Sequence, residues 1–240
     1  MADPQGRAQA ALDDLVKRGV ERGLQVAAYY NGELVVDAWA GVADASTGRI
    51  VDGDTLFTVF STTKGVTATA IHLLADRGKL DYDTPIAVYW PEFGAHGKEN
   101  VTVRQALTHT AGIPQMPYCV EPNDLSDWDG MCAAIADLQP LWKPGTRTGY
   151  HSVTFGWILG EVARRADGRS IAQIVQDDIC RPLGITSLYL GIPATVEASV
   201  ATIELTPPIW EHSATGLALL WRDAIFPAQR PDIVAGCEVR

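Results

Sequence analysis

The chain has 240 residues, 47% of them hydrophobic and 20% charged, which is the make-up of a globular protein with a sizeable core. A net charge of −10 argues against nucleic acid or an anionic membrane surface as a partner, and no apolar run approaches a membrane span. The start, Met-Ala-Asp-Pro-Gln-Gly, lacks a secretory pattern, and Cys119, Cys132, Cys180 and Cys237 form no Cys-x-x-Cys, so a cytoplasmic protein with free thiols is expected. The five His residues form no ligand-like pair, and neither metal nor cofactor is called for.

In chain order, Ala8 to Arg22 reads as an amphipathic helix with Ala8, Ala11, Leu12, Leu15 and Val16 on one face. Leu24 to Tyr30 and Glu33 to Ala40 read as strands joined through Asn31-Gly32, a pair suited to a two-residue hairpin turn. Gly41 to Asp54 is turn-rich and reads as a surface loop. The apolar run Thr55 to Phe60 leads into Ser61, after which Val66, Ala70, Leu73 and Leu74 recur at helical spacing until Gly78. Thr102 and Gln105 form a capping box for a segment ended by Gly112 and Pro114. Ser126 and Asp129 start a helix carrying Met131, Ala134, Ile135 and Leu138, stopped by Pro140. Ser152 to Ala166 forms the next, closed by Gly168, and Ser170 with Gln173 opens one that runs to about Cys180. Helical signal beyond Pro207 is weak, around Gly216 to Trp221.

Strands thus concentrate before residue 61 and helices after it. Residues 1–60 are expected to give the N-terminal helix and hairpin of an α/β subdomain, and residues 61–240 a mostly helical subdomain beginning with the Ser61 helix. One hairpin and one helix cannot bury both faces of a sheet. Further strands should complete it, yet nothing in residues 200–240 reads as several strands. An open sheet edge of this kind favours self-association.

Chemistry points to Ser61-Thr-Thr-Lys64, followed 89 residues later by Tyr150-His151-Ser152. A Ser three residues before a Lys shares a face of a helical turn, where the ammonium favours the alkoxide. A Tyr arriving from elsewhere can take the hydroxyl proton, the usual logic of an activated nucleophile. With 8 Ser and 5 Lys, chance alone gives such a pair about one time in six. The plainer alternative is a helix-capping Ser61 and a solvated Lys64. Ser61, however, sits where a helix begins, beside free N–H groups and a positive dipole end that disfavours Lys64.

Phe60-Ser-Thr-Thr-Lys-Gly65, Gly78-Lys-Leu-Asp-Tyr-Asp-Thr-Pro85, Leu107-Thr-His-Thr-Ala-Gly112, Gly149-Tyr-His-Ser-Val-Thr-Phe-Gly156 and Arg181-Pro-Leu-Gly-Ile185 occur in this order. Together they resemble the serine β-lactamase-like hydrolases: class C β-lactamases, DD-peptidases and family VIII carboxylesterases. The resemblance implies an α+β fold of the β-lactamase/transpeptidase type, an antiparallel sheet flanked by helices plus a mostly helical subdomain. It makes Ser61 the nucleophile of an acyl-enzyme, Lys64 the group that tunes its proton and holds Tyr150, and Tyr150 the general base. The Ser61 N–H becomes one of two oxyanion donors.

Lactamases of this type usually carry Asn at the position of Ser152, where it holds the substrate's amide side chain. Ser152 and the Tyr-His-Ser-x-Thr-x-Gly wording look more like the carboxylesterase branch and favour a small ester substrate. β-Lactam or DD-peptidase activity on the same site is the alternative. The loop from Ile113 to Trp128, with Met116, Tyr118 and Trp128, either walls an apolar acyl pocket or is a surface loop pinned by aromatic packing. His151 could approach the site or point away, and His109 belongs to the Leu-Thr-His-Thr-x-Gly element. The family's third motif, a Lys/His/Trp-x-Gly strand supplying the second oxyanion donor, is not legible. His212-Ser-Ala-Thr-Gly216 comes too early for it. The C-terminal strands are thus expected to be missing, and a catalytically impaired fragment is the other reading of this sequence.

Overall fold

In the computed structural model, which describes residues 3–117 and 120–204, the first hairpin turns where Asn31 and Gly32 take φ of 50° and 85°. Both values are positive, as a two-residue turn matched to strand twist requires. The turn joins β1 (Gly23–Tyr30) to β2 (Glu33–Asp44) in antiparallel register with Tyr30 opposite Glu33. A short β3 (Arg49–Ile50) pairs with β2, giving the order β1-β2-β3. Part of the segment expected as loop is therefore strand. Asp44 accepts bonds from the Ser46 N–H and hydroxyl, closing a turn tight enough to return Arg49–Ile50 to β2.

The first helix, α1 (Pro4–Lys17), starts earlier and ends earlier than apolar spacing suggests. Asp3 caps it by accepting from the Gly6 N–H, and Pro4 at the first helical position needs no donor there. Its Gln5 and Gln9 side chains bond the β2 backbone at Asp37 and Trp39. Along β2, Val36, Ala38 and Ala40 are buried while the residues between them are exposed, the period of a strand with one covered face. The chain also divides into two compact units, one running to Val59 and resuming at Gly191, the other containing Phe60–Leu190. In the first unit Leu56 bridges Val200 in parallel.

The second unit is helical. Among the described residues its helices include α2 (Thr63–Asp76), α3 (Ile86–Tyr89), α4 (Val103–Leu107), α5 (Trp128–Ala136), α6 (Thr154–Asp167) and α7 (Ile171–Ile174). Both expected capping boxes form, Thr102 with Gln105 and Ser170 with Gln173. The cap of α5 is Asp127 rather than Ser126, because its carboxylate accepts from the Gly130 N–H. After Ile174 the backbone widens into a π-helical stretch, Val175–Cys180, instead of continuing as α-helix. Ala70, Ile71 and Leu74 of α2 pack in one core with Phe155, Ile158, Leu159 and Val162 of α6, beside Ile86, Trp90 and Phe93. Each large side chain buried there stabilises by about 1.5–3 kcal/mol. Among the described residues no helix is long and apolar enough to cross a membrane.

Candidate active site

The extended run before Ser61 ends abruptly. Phe60 takes φ 43°, a left-handed conformation that a bulky residue rarely adopts, and a 3-10 turn over Phe60–Thr62 leads into α2. This places Ser61 exposed on the turn and Lys64 in the first turn of α2. The Lys64 ammonium donates to Ser61 Oγ at 3.1 Å and to the Ser152 carbonyl oxygen at 2.6 Å. It also lies 4.9 Å from the centre of the Tyr150 ring and 5.8 Å from that of Phe155. Ser61, Lys64 and Tyr150 are thus brought together around one cation, and Ser152 joins them through its backbone. Burial pushes the Tyr150 phenol up, but the Ser61 hydroxyl and the Lys64 ammonium outweigh it and hold it below the ordinary value of 10.0.

The turn carrying Tyr150 is fixed from both sides by histidines whose role the sequence did not reveal. The Gly149 N–H donates to the His109 carbonyl at 3.0 Å, and the His151 N–H donates to His109 Nδ1 at 3.1 Å. His109 itself sits at φ 60°, and its ring centre is 4.8 Å from that of Tyr150. His151 points away from the cleft and is buried. Its Nε2 accepts from the Ile113 N–H at 3.1 Å, so its proton is on Nδ1, which donates to the Gly149 carbonyl. Burial holds His151 neutral, lowering its pKa to about 4; the Gly149 carbonyl opposes this and His109 adds to it. Burial, and then the Lys64 charge, lower His109 as well. Thr154 Oγ1 donates to the Ile113 carbonyl, so both backbone groups of Ile113 are tied to the Tyr150 segment.

Beside Ser61 opens a cleft of about 410 Å³, lined on its apolar side by Phe60, Trp128, Phe155, Trp157, Ile171 and Leu190. Lys64 is the charged side chain among its lining residues, and Ser152 lines it too. Trp128 is therefore at the cleft, with its indole N–H donating to Glu161 at 2.8 Å. Tyr118 lies outside the described residues, as do the 207–240 stretch and His212-Ser-Ala-Thr-Gly216. Glu161 went unnoticed in the sequence. Its signal was an acidic residue on the core-facing stripe of α6 followed by Arg164 and Arg165.

The profile of the Beta-lactamase family matches residues 9–227. The chain belongs to that family. It is 38% identical over 186 residues to the Esterase/beta-lactamase LipL of Mycobacterium tuberculosis, covering 78% of this chain and 43% of that protein. The solved structure of a family VIII carboxylesterase superposes with a TM-score of 0.77 at 44% identity, covering 83% of this chain and 54% of that one. A class C β-lactamase mutant superposes with a TM-score of 0.70 at 26% identity, covering 82% and 55%. The fold is accordingly the expected α+β fold of β-lactamases and transpeptidases. The chain spans about half the length of the relatives it matches.

Proposed function

We propose that this chain carries the acylation site of a serine hydrolase that cleaves small carboxylic esters through an acyl-Ser61 intermediate. The observation that carries the reading is the position of the Lys64 ammonium, bonded to Ser61 Oγ at 3.1 Å with the Tyr150 ring centre 4.9 Å away. Tyr150, drawn toward its phenolate by those two neighbours, takes the Ser61 proton as Oγ attacks the ester carbonyl. The Ser61 N–H, at the start of the turn into α2, donates to the developing oxyanion. Collapse of the tetrahedral adduct breaks the bond to the alcohol, and Tyr150 returns its proton to the departing alkoxide. Water then attacks acyl-Ser61, giving its proton to Tyr150; collapse of this second adduct breaks the acyl–Oγ bond, Tyr150 hands that proton to the departing Ser61 Oγ, and the carboxylic acid leaves. Lys64, bonded to Ser61 Oγ and set beside the Tyr150 ring, keeps the two groups in reach of each other.

The ester preference rests on the cleft. Its walls are aromatic and aliphatic, suiting an acyl chain, and Ser152 offers one short donor where an amide side chain would need more. The resemblance to a protein named both esterase and β-lactamase favours one further reading, β-lactam acylation at the same Ser61.

The test treats the purified protein with a fluorophosphonate probe, p-nitrophenyl butyrate and a chromogenic cephalosporin, with Ser61→Ala as control. Ser61-dependent labelling and ester turnover are expected. Turnover of the cephalosporin without the ester would replace the ester reading by the β-lactam one. A folded protein that neither labels at Ser61 nor turns over either substrate would sink both.

A further inference from the structure

Glu161 stands on the buried stripe of α6, among Ile158, Leu159 and Val162, with none of its side chain exposed. Its two oxygens accept four bonds. Oε2 takes the Trp128 indole N–H at 2.8 Å and Arg164 Nε at 2.7 Å; Oε1 takes Arg164 Nη2 and Arg165 Nε, each at 2.7 Å. Packing alone does not call for this arrangement, because an apolar side chain of similar volume typically serves a core as well as a buried ion pair does. Three of the bonds, from Arg164 and Arg165, fix the carboxylate, and the fourth uses it to direct one indole.

Other contacts serve the same ring. A Cβ placed on Gly160 would stand 2.6 Å from Trp128 Cη2 and 3.1 Å from Cζ2, so α6 omits a side chain where the indole lies across it. The same point is 3.4 Å from a methyl of Ile171. Arg164 Nη2 also donates to Asp129 at 3.0 Å, so the arginine that grips Glu161 holds the residue after Trp128. Trp128, Gly156, Trp157 and Ile171 all line the cleft that contains Ser61. The Ser152 carbonyl and Phe155 mark the catalytic end of that cleft. Gly160 lies four residues beyond Gly156, about 6 Å along the helix. The indole therefore lies about one helical turn further along α6 than the end of the cleft marked by Ser152 and Phe155.

We propose that Glu161 is a positioning residue for substrate selection: by holding the Trp128 indole on Gly160 it sets the end wall of the acyl pocket and the length of acyl chain delivered to Ser61. The proposal rests on the ester-hydrolase reading above. A wall pinned by the indole–Glu161 bond, with its acceptor fixed by three arginine bonds, excludes longer chains; a released wall admits them. The substrate class is thus esters of apolar acyl chains with an upper length limit imposed by Trp128.

The experiment compares kcat/KM for p-nitrophenyl octanoate and butyrate. Glu161→Gln keeps a carbonyl acceptor but loses the charge, and Trp128→Phe keeps a ring but loses the N–H. Each is expected to raise the octanoate-to-butyrate ratio about fivefold to tenfold, and the double variant no further than the larger single effect. Gly160→Ala drives the indole off the helix into the cleft and should lower the ratio instead. A merely structural Glu161 would reduce both substrates equally, and that result, in protein folded by near-ultraviolet circular dichroism, overturns the proposal. Should Glu161→Gln not fold, an unchanged ratio in both Trp128→Phe and Gly160→Ala overturns it equally.

A second readout needs no turnover. In protein labelled with 5-fluorotryptophan, the resonance lost in Trp128→Phe is Trp128's. A shift or broadening of that resonance in Glu161→Gln supports the restraint, and an unmoved one overturns it. Absence of Ser61 labelling in the parent protein would instead count against the hydrolase reading, which the fluorine spectrum does not depend on.

Discussion

The two units bury their apolar residues differently. In the helical unit Trp90, Phe93, Ile71, Leu74, Ile158 and Leu159 are fully buried. In the sheet unit the covered positions are small, chiefly Val36, Ala38, Ala40, Ala43 and Val51, while Tyr29, Tyr30, Leu34 and Ile50 remain exposed. Large side chains packed at interior density resist displacement, whereas an alanine-lined face contributes little area per residue. The strained backbones that shape the site, at Phe60 and His109, both belong to the helical unit. So do Ser61, Lys64, Tyr150 and every residue lining the cleft. A core able to hold strain is the one that carries the candidate chemistry.

The largest expected effect separates function from stability within the helical unit. Tyr150→Phe removes one hydroxyl from a side chain that is 54% exposed, so the core does not change. Loss of a general base costs on the order of 10²–10⁴ in rate. Turnover of p-nitrophenyl butyrate should fall by that factor with a melting midpoint within about 2 °C of the parent. Because the Tyr150 phenol is held below its ordinary 10.0, kcat/KM should rise with pH through an inflection lower than that value. Retained activity, or an inflection at or above free phenol, would remove Tyr150 from the mechanism.

The next effect reverses the relation, with stability responding where no catalytic group is touched. His151 is buried and neutral, with a folded pKa of about 4 against an ordinary 6.5. A depressed imidazole means that between those values the unfolded chain binds a proton the folded one does not. Its contribution is complete above pH 6.5 and lost as pH falls toward 4, by roughly 3 kcal/mol. Glu161, with a folded pKa of about 2 against 4.5, loses its contribution only in the lower window from 4.5 to 2. Urea midpoints at pH 7.5 and 4.5 should therefore differ in the parent and converge in His151→Asn. An equal pH response in the two would assign the acid sensitivity to another group.

Much of this was legible before the structure. Asn31-Gly32, both capping boxes and the Ser61-x-x-Lys64 spacing are local signals, each read within one turn of chain, and each appears in the fold. The early start of α1 was missed because Asp3 and Pro4 act through capping, not apolar spacing. β3 was missed because two residues carry no period, and its turn depends on the Asp44 carboxylate. The clamps on Tyr150 and Trp128 were invisible for a different reason. His109 meets His151 across 42 residues and Trp128 meets Glu161 across 33, and nothing in either segment alone marks the partner. Sequence patterns name the reacting groups more readily than the residues that aim them.

The smallest expected effect tests whether the sheet unit's aromatic surface is as idle as its exposure implies. Tyr29 and Tyr30 are each 70% exposed on neighbouring positions of β1, hence on opposite faces. Tyr29→Ser should change unfolding free energy by no more than about 0.5 kcal/mol, as surface substitutions usually do. Ile158→Ala, from a fully buried site in α6, should cost about 2–5 kcal/mol by the cavity it leaves. The ratio of the two is the contrast between the units stated as a measurement. A Tyr29→Ser cost approaching that of Ile158→Ala would mean the ring is covered in solution by something the isolated chain does not supply. Mass action then gives the diagnosis, because a covering second copy makes the melting midpoint rise with protein concentration in the parent and not in the variant. A midpoint independent of concentration, with the small cost expected, leaves the aromatic surface in water and the structural demands of the site with the helical core.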